Sequence, residues 1–318
     1  MLKRLLAIGL ISAMSLSIFG CQNTETEGKE EAKTVTISVQ NANKEMVDIE
    51  VPVNPEKVVV LDYVALDMID SWGLGDKVVG MPKDSTIPHL SKYSEDKDIV
   101  NLGGLKEIDM EALMSLEPDI IFTSGRTAAK YDEFSKIAPT VMTSISYGEG
   151  YMESFETMAK RNASIFGMEE KVEKQLAKFD DRIAAIKEKA EGKSAVVGII
   201  TGGALNTLGN DSRGSIIGTT LGFENLAADL DSAHGNVASF ELLLDLNPDY
   251  AFIIDRDTAI SAEGASTAEK IMDNEIVYQT DAYKNDRIAY LNPVVWYMVE
   301  GGITAMDIML SDIEAALN

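Results

Sequence analysis

The chain has 318 residues, 45% of them hydrophobic, and a formal net charge of −24. The apolar content suffices for two domain-sized cores, while the acidity excludes binding to DNA, RNA or an anionic lipid surface by bulk charge. An anionic ligand would have to be met by cations clustered locally, which is feasible because charges beyond about 8 Å are screened at physiological salt.

Lys3 and Arg4 precede an apolar run from Leu5 to Phe19, and Gly20-Cys21 follow. The pattern predicts a secretory signal over residues 1–20, too short for a useful membrane span. Removing it, with Lys3 and Arg4, takes the formal charge from −24 to −26. Cys21 is the sole cysteine of the sequence, so no internal disulfide can form within it. Residues 22–34 (QNTETEGKEEAKT) hold no large apolar group to offset ordering entropy, so residues 21–34 read as a flexible tether.

Val35, Ile37, Val39 and then Val47, Ile49, Val51 alternate with polar residues around the turn-forming Asn41-Ala42-Asn43-Lys44, which predicts an opening hairpin. A strand Lys57–Leu61, a helix Ala65–Trp72 stopped by Gly73 and a strand Lys77–Gly80 then begin a β/α alternation. Such alternation argues for a mainly parallel sheet covered by helices. Val172, Leu176, Phe179, Ile183 and Ile186 step by four, three, four and three, predicting one long amphipathic helix over Met168–Ala190, closed by Gly192. The strand Ala195–Thr201 opens a second β/α series.

The two series share a unit. Residues 108–126 (IDMEALMSLEPDIIFTSGR) align without a gap to residues 238–256 (ASFELLLDLNPDYAFIIDR), with seven of nineteen positions identical. In each copy Asp109 or Ser239 can cap a helix, the helix stops before Pro-Asp, an apolar strand follows, and Arg126 or Arg256 ends it. Helix–Pro-Asp–strand is also a common α/β join. Duplication predicts two similar α/β lobes, residues 35–166 and 193–318, joined by a single backbone helix within residues 167–192, with a ligand cleft between the lobes.

Leader, lone cysteine, tether, lobes and connecting helix together resemble the substrate-binding lipoproteins of bacterial iron–siderophore ABC importers. These form part of the class III periplasmic binding proteins, which also carry haem and cobalamin. Ile18-Phe19-Gly20-Cys21 resembles a lipobox, although Phe19 is bulkier than the usual residue there. The resemblance implies that the Cys21 thiol receives a lipid and anchors the mature chain to the outer face of the cell membrane. Four stretches resemble the catecholate-siderophore branch: Thr123-Ser124-Gly125-Arg126, Asn210-Asp211-Ser212-Arg213-Gly214, Ser232-Ala233-His234-Gly235 and Leu291-Asn292-Pro293-Val294-Val295-Trp296-Tyr297.

Arg126 and Arg256 end equivalent strands, where ligands of open α/β sheets sit. Arg213 lies in a polar loop before an apolar segment (Ile216, Ile217, Leu221) that reads as a helix, so its guanidinium would add to a positive helix end. Three arginines on one cleft would suit a ferric bis- or tris-catecholate, whose anionic phenolate oxygens accept hydrogen bonds and whose flat rings stack on guanidinium. Taken singly, each arginine fits a surface ion pair equally well, with Asp255 or Asp257 for instance. The resemblance implies that His234 and Tyr297 ligate the iron when the siderophore supplies only four donors. Phenolate oxygen suits hard Fe³⁺ and imidazole is acceptable to it; with six donors they would be a loop hydrogen-bonder and a cleft wall. The resemblance also implies that Glu111 and Glu241, one per lobe, dock on the permease, while complementing the helix dipole is their simpler role.

The sequence contains no P-loop, GxSxG elbow or HExxH motif, and its two histidines, His89 and His234, make no three-histidine zinc site. Met110, Met114, Met306 and Met309 fall within apolar helical patterns and are expected in the core rather than on haem. The expectation is therefore a monomeric receptor, not an enzyme, with no intrinsic cofactor and a ferric siderophore as cargo. A hydroxamate siderophore or haem in the same fold, a secreted siderophore hydrolase, or a structural surface lipoprotein are the other readings.

Overall fold

The opening hairpin forms from strands Thr34–Gln40 and Met46–Pro52, paired antiparallel so that Ile37 faces Ile49 and Val39 faces Val47. Its first strand starts at Thr34, inside the stretch expected to be tether. A computed structural model describes residues 33–147, 150–229 and 240–318. The leader, Cys21, Ser239 and the Ser232–Gly235 stretch with His234 lie outside the described residues.

The first lobe is built on a five-stranded parallel sheet. Val58–Val60 lies at its centre, between Val78–Met81 and Ile120–Thr123, with Val100–Asn101 and Thr140–Met142 at the edges. The helix expected from Ala65 begins at Tyr63, because the Asp62 carboxylate accepts from the Val64 and Ala65 N–H groups and caps it there. Gly73, with φ of 79°, ends it in the left-handed conformation that a side chain would resist.

The second lobe repeats the plan. Ser194–Thr201 is central, parallel to Tyr250–Asp255, which in turn pairs in parallel with Ile288–Tyr290. The difference is one antiparallel edge strand, Ala204–Leu208, so the sheet is mainly rather than wholly parallel. The shared unit folds alike in both lobes, as helix Met110–Ser115 then strand Ile120–Thr123, and as helix Phe240–Leu246 then strand Tyr250–Asp255. Asp109 caps the first helix, accepting from Glu111 and Ala112 N–H. Proline disfavours right-handed helix in the residue before it, and both helices exit through a left-handed residue, Glu117 (φ 48°) and Asn247 (φ 42°). Met306 and Met309 are buried as expected, but Met114 is 53% exposed, on the face of its helix turned away from buried Leu113.

Helix Glu169–Ala190 joins the lobes, with Val172, Leu176, Phe179, Ile183, Ile186 and Ala190 buried on one face. The C-terminal helix Ile303–Ala316 packs against both this connector and helix Tyr63–Trp72 of the first lobe. Arg182 of the connector grips it, with Nε and Nη2 on the two Glu314 oxygens at 2.8 Å each and Nη1 on Asp307 Oδ1 at 2.8 Å. Fully buried Asp67 of the first lobe accepts from Thr304 and Ala305 N–H and so caps the same helix. A Cβ on Gly302 would lie 2.5 Å from the Asp67 carboxyl, which explains a glycine there. The lobes are thus held by one connector and by the returning C-terminal helix, an arrangement that resists wide hinging.

Candidate functional site

The candidate site residues stand at the carboxyl ends of the parallel strands. Asp62 follows Val58–Val60, Arg126 follows Ile120–Thr123, and Arg256 follows Tyr250–Asp255. Tyr297 comes from elsewhere, the last turn of helix Pro293–Met298. Asn292 caps that helix through Val295 N–H, Pro293 opens it, and Trp296 is anchored beneath by Nε1 donating to Asp312 Oδ2 at 2.8 Å.

The three arginines singled out in the sequence meet at this one tyrosine. Their guanidinium carbons lie 5.3 Å (Arg126), 4.7 Å (Arg213) and 5.5 Å (Arg256) from the Tyr297 ring centre, all within cation–π range. Arg126 donates through Nη2 to the Tyr297 carbonyl at 2.9 Å. Arg256 donates through Nε to the Tyr297 hydroxyl at 3.0 Å. Arg213 donates to the Trp296 carbonyl at 3.3 Å and pairs with Glu300 at 3.1 Å. Burial, then repulsion from Arg213, pulls Arg126 below the usual guanidinium range, although arginine remains a cation at neutral pH.

Ion pairing separates the three. Arg256 pairs with Asp257 at 3.2 Å, whereas Asp255 is taken up by Thr258 and Ala268 N–H. Among the described residues no carboxylate pairs with Arg126. The helix start expected beside Arg213 is a single turn, Ile216–Thr219, and it is not left open for a ligand. Glu300 occupies the turn before it, accepting from Gly214 N–H at 3.0 Å.

Glu300, Tyr147, Asp62 and Lys106 belong to the site and went unnoticed in the sequence. The Glu300 side chain is 1% exposed and also accepts from the Tyr147 hydroxyl at 2.8 Å, joining a first-lobe loop to the second lobe. Burial raises the Glu300 carboxyl above its ordinary value, against the pull of Arg213. Burial likewise raises Asp62, opposed first by the hydrogen bond from Thr143. A charged residue inside the otherwise apolar run Val294–Val299 and Gly301-Gly302 was the available signal for Glu300. Nothing local marks Tyr147 or Lys106, which reach the cleft only through the fold.

Two chambers flank the Arg126–Tyr297 contact. One, of about 310 Å³, is lined by Asp62, Ser124, Thr143, Tyr147, Arg213 and Glu300 among others. The second, of about 490 Å³, is lined by Asp84, Leu105, Lys106, Arg256 and Ile260. Arg126, Tyr297 and Met298 face both. The cleft therefore offers cationic N–H donors, the phenols of Tyr147 and Tyr297 and apolar walls, beside the carboxylates of Asp62, Asp84 and Glu300; the guanidinium groups and the Tyr297 ring suit a flat, anionic, oxygen-rich ligand. Glu111 and Glu241 are exposed in the first turns of their helices, one on each lobe.

Residues 58–295 match the family described as Periplasmic binding protein. The Petrobactin-binding protein YclQ of Bacillus subtilis (strain 168) is 37% identical over 323 residues, spanning 98% of this chain and 98% of that protein. The crystal structure of YclQ gives a TM-score of 0.83 at 36% identity, over 90% of this chain and 99% of that one. The Ferric-anguibactin-binding protein FatB of Vibrio anguillarum is 26% identical, over 97% of this chain and 96% of its own. The crystal structure of the periplasmic catecholate-siderophore binding protein VctP from Vibrio cholerae matches with a TM-score of 0.81 at 31% identity, over 88% of this chain and 100% of that one.

Proposed function

The chain belongs to the periplasmic binding protein family, and from that premise we propose that it is the extracytoplasmic receptor of an iron importer. It captures a ferric catecholate siderophore and hands it to an ABC permease driven by a cytoplasmic ATPase. One observation carries this reading: arginines from both lobes gather within 5.5 Å of a single phenol ring, on a cleft otherwise embedded in an acidic protein. A ferric catecholate matches that arrangement, since its phenolate oxygens take the guanidinium N–H groups and its rings stack on their planes. A ferric trihydroxamate is neutral and would bring no counter-charge to Arg126, the one of the three arginines with no carboxylate paired to it among the described residues. Relatives named for petrobactin, for ferric anguibactin and for catecholate siderophores support an iron-carrying cargo.

In this reading Arg126, Arg213 and Arg256 hold the anion, and Tyr297, with His234, completes the iron coordination when the siderophore leaves two positions open. Residues 1–20 are removed as a leader, and Cys21 carries the lipid. Residues 21–33 tether the lobes 34–166 and 193–318, the first opening at Thr34 rather than Val35, and the helix within 167–192 joins them. Glu111 and Glu241 dock on the two permease subunits. The protein acts as a monomer, contacts the membrane only through the anchor and permease, and binds no nucleic acid.

The test is a titration of the purified protein with ferric bis- and tris-catecholates, following quenching of Trp and Tyr fluorescence. Saturable quenching is expected, with His234→Ala and Tyr297→Phe weakening only the four-donor complex. Binding of a hydroxamate or haem in place of every catecholate would overturn the cargo while leaving the family intact.

A further inference from the structure

Behind the wall of the 310 Å³ chamber lies a guanidinium that pairs with no carboxylate among the described residues. Arg161, on helix Tyr151–Phe166, donates through Nη2 to the Met142 carbonyl at 2.9 Å and through Nε and Nη2 to Asn162 Oδ1 at 3.2 Å each. Its Nη1 has no acceptor, and no carboxylate pairs with it, among the described residues. Burial pulls the group down to about 10.

Arg161 lines a cavity of about 70 Å³, under a quarter of the 310 Å³ chamber beside it. Ser144, Ser146, Ser154 and Thr157 line the same cavity. Two of these oxygens already accept, Ser144 from Gly125 N–H at 3.3 Å and Ser154 from Ser146 N–H at 2.7 Å, and each keeps its O–H to donate. Among the described residues none of the four hydroxyls donates to a protein acceptor, and Gln40 is the one lining side chain with a carbonyl oxygen to give. The cavity is thus lined by one guanidinium and four hydroxyls that can donate, with no carboxylate among its lining residues. Arg161 is half-buried, and a charge partly withdrawn from water is stabilised by a partner that supplies counter-charge and acceptors together; a small anion would supply both.

We propose that this cavity is a second anion site, taking a small tetrahedral oxyanion such as inorganic phosphate on Arg161 Nη1 and the surrounding hydroxyls. It is separate from the siderophore cleft and does not depend on what that cleft binds. The two share a wall, because Ser144 faces both cavities and Arg161 holds Met142 at the end of the strand that leads into the cleft.

The experiment uses the Arg126→Ala/Arg256→Ala protein, in which the cleft no longer competes for anions. Phosphate is titrated at constant ionic strength, by calorimetry and by thermal unfolding. One saturable site and an upward shift in Tm are expected, abolished by Arg161→Gln and weakened several-fold by Thr157→Val. Thr157 is exposed and its replacement is of similar shape, so that variant decides the matter if Arg161→Gln does not fold. No saturable binding, binding that neither substitution alters, or an equal Tm shift with chloride would each overturn the assignment.

Discussion

The shared unit at residues 108–126 and 238–256 has kept its frame in both lobes and diverged where it leaves the sheet. Over residues 111–120 and 241–250 the sequence of buried and exposed positions differs at one place, Met114 against Leu244. Leu113 and Leu243 are fully buried, as are Phe122 and Phe252 within 1%. Asp119 and Asp249 do the same work. Asp119 accepts from Glu56 and Lys57 N–H at 2.8 Å, and Asp249 from Ser194 N–H at 2.8 Å, each fixing the start of the neighbouring central strand. The exits differ. Arg126 follows a loop, has no ion-paired carboxylate among the described residues, and meets Tyr297 through its backbone carbonyl; Arg256 opens a short helix, pairs with Asp257, and meets the Tyr297 hydroxyl. A repeated frame thus delivers two like charges to one ring, one without an ion-paired acid among the described residues and one paired with Asp257.

That difference predicts unequal costs. Arg126→Ala should weaken ferric catecholate binding on the order of a hundredfold, the scale for removing one partner of a desolvated charge pair. Arg256→Ala should cost roughly tenfold, since Asp257 already offsets part of its charge. Fluorescence titration of the two variants measures the gap. Equal losses would mean that Asp257 turns away when the ligand arrives and that the two exits are equivalent in use.

The common frame predicts equal costs. Asp119→Ala and Asp249→Ala each remove charge-assisted hydrogen bonds to a strand start, worth about 1.5–3 kcal/mol apiece, and urea unfolding should place them close together. The Ser194 N–H bond is the main reason the Asp249 carboxyl sits below its ordinary value. A lowered carboxylate contributes stability that is present above its unfolded pKa and lost as pH falls through the folded value. Asp249→Asn should therefore flatten the acid limb of the stability profile. A variant as acid-sensitive as the parent would remove the strand start from the account.

Much of this frame is visible in the sequence because it rests on local chemistry. The alternation of Val35, Ile37 and Val39, the Pro-Asp joins and the four-three spacing from Val172 to Ile186 each report a backbone preference, and the elements appear where those patterns lie. Boundaries moved where a side chain intervened, as Asp62 started its helix at Tyr63. The arginines were legible for the same reason, since strand ends and loop motifs place them. Glu300 and Tyr147 were not, because their meeting at 2.8 Å joins residues 153 positions apart on different lobes. Only the assembled fold brings them together.

Glu300 offers a finer probe of the join between the lobes. Its carboxyl is raised by burial, so the sign is opposite to that of Asp249. Stability from a raised group is fully present below the unfolded pKa and declines as pH rises through the folded value. Glu300→Gln keeps the shape and should remove that decline, while weakening the hold on Arg213 and lowering ligand affinity at neutral pH. A Gln variant with the parent's pH profile would show that Arg213 compensates the carboxylate fully.

The smallest stability effect is expected at the outer face of the repeat, and it is the one that separates scaffold from signal. Glu111 and Glu241 stand in the first turn of equivalent helices. There a carboxylate complements the helix dipole by about 0.3–1 kcal/mol, so each alanine substitution should shift unfolding only slightly. Neither residue lines the cavities at Tyr297, so ligand affinity should be unchanged in the double variant. If the two acids are also the permease contacts, iron uptake should nevertheless fall away in cells, with each single variant intermediate. Unimpaired uptake would reduce both to helix complements, and the matching exposure of the two positions would then reflect the frame the two lobes share and nothing more. A parallel loss of ligand affinity would instead place their influence inside the fold, which the burial of Leu113 and Leu243 between them and the sheet argues against.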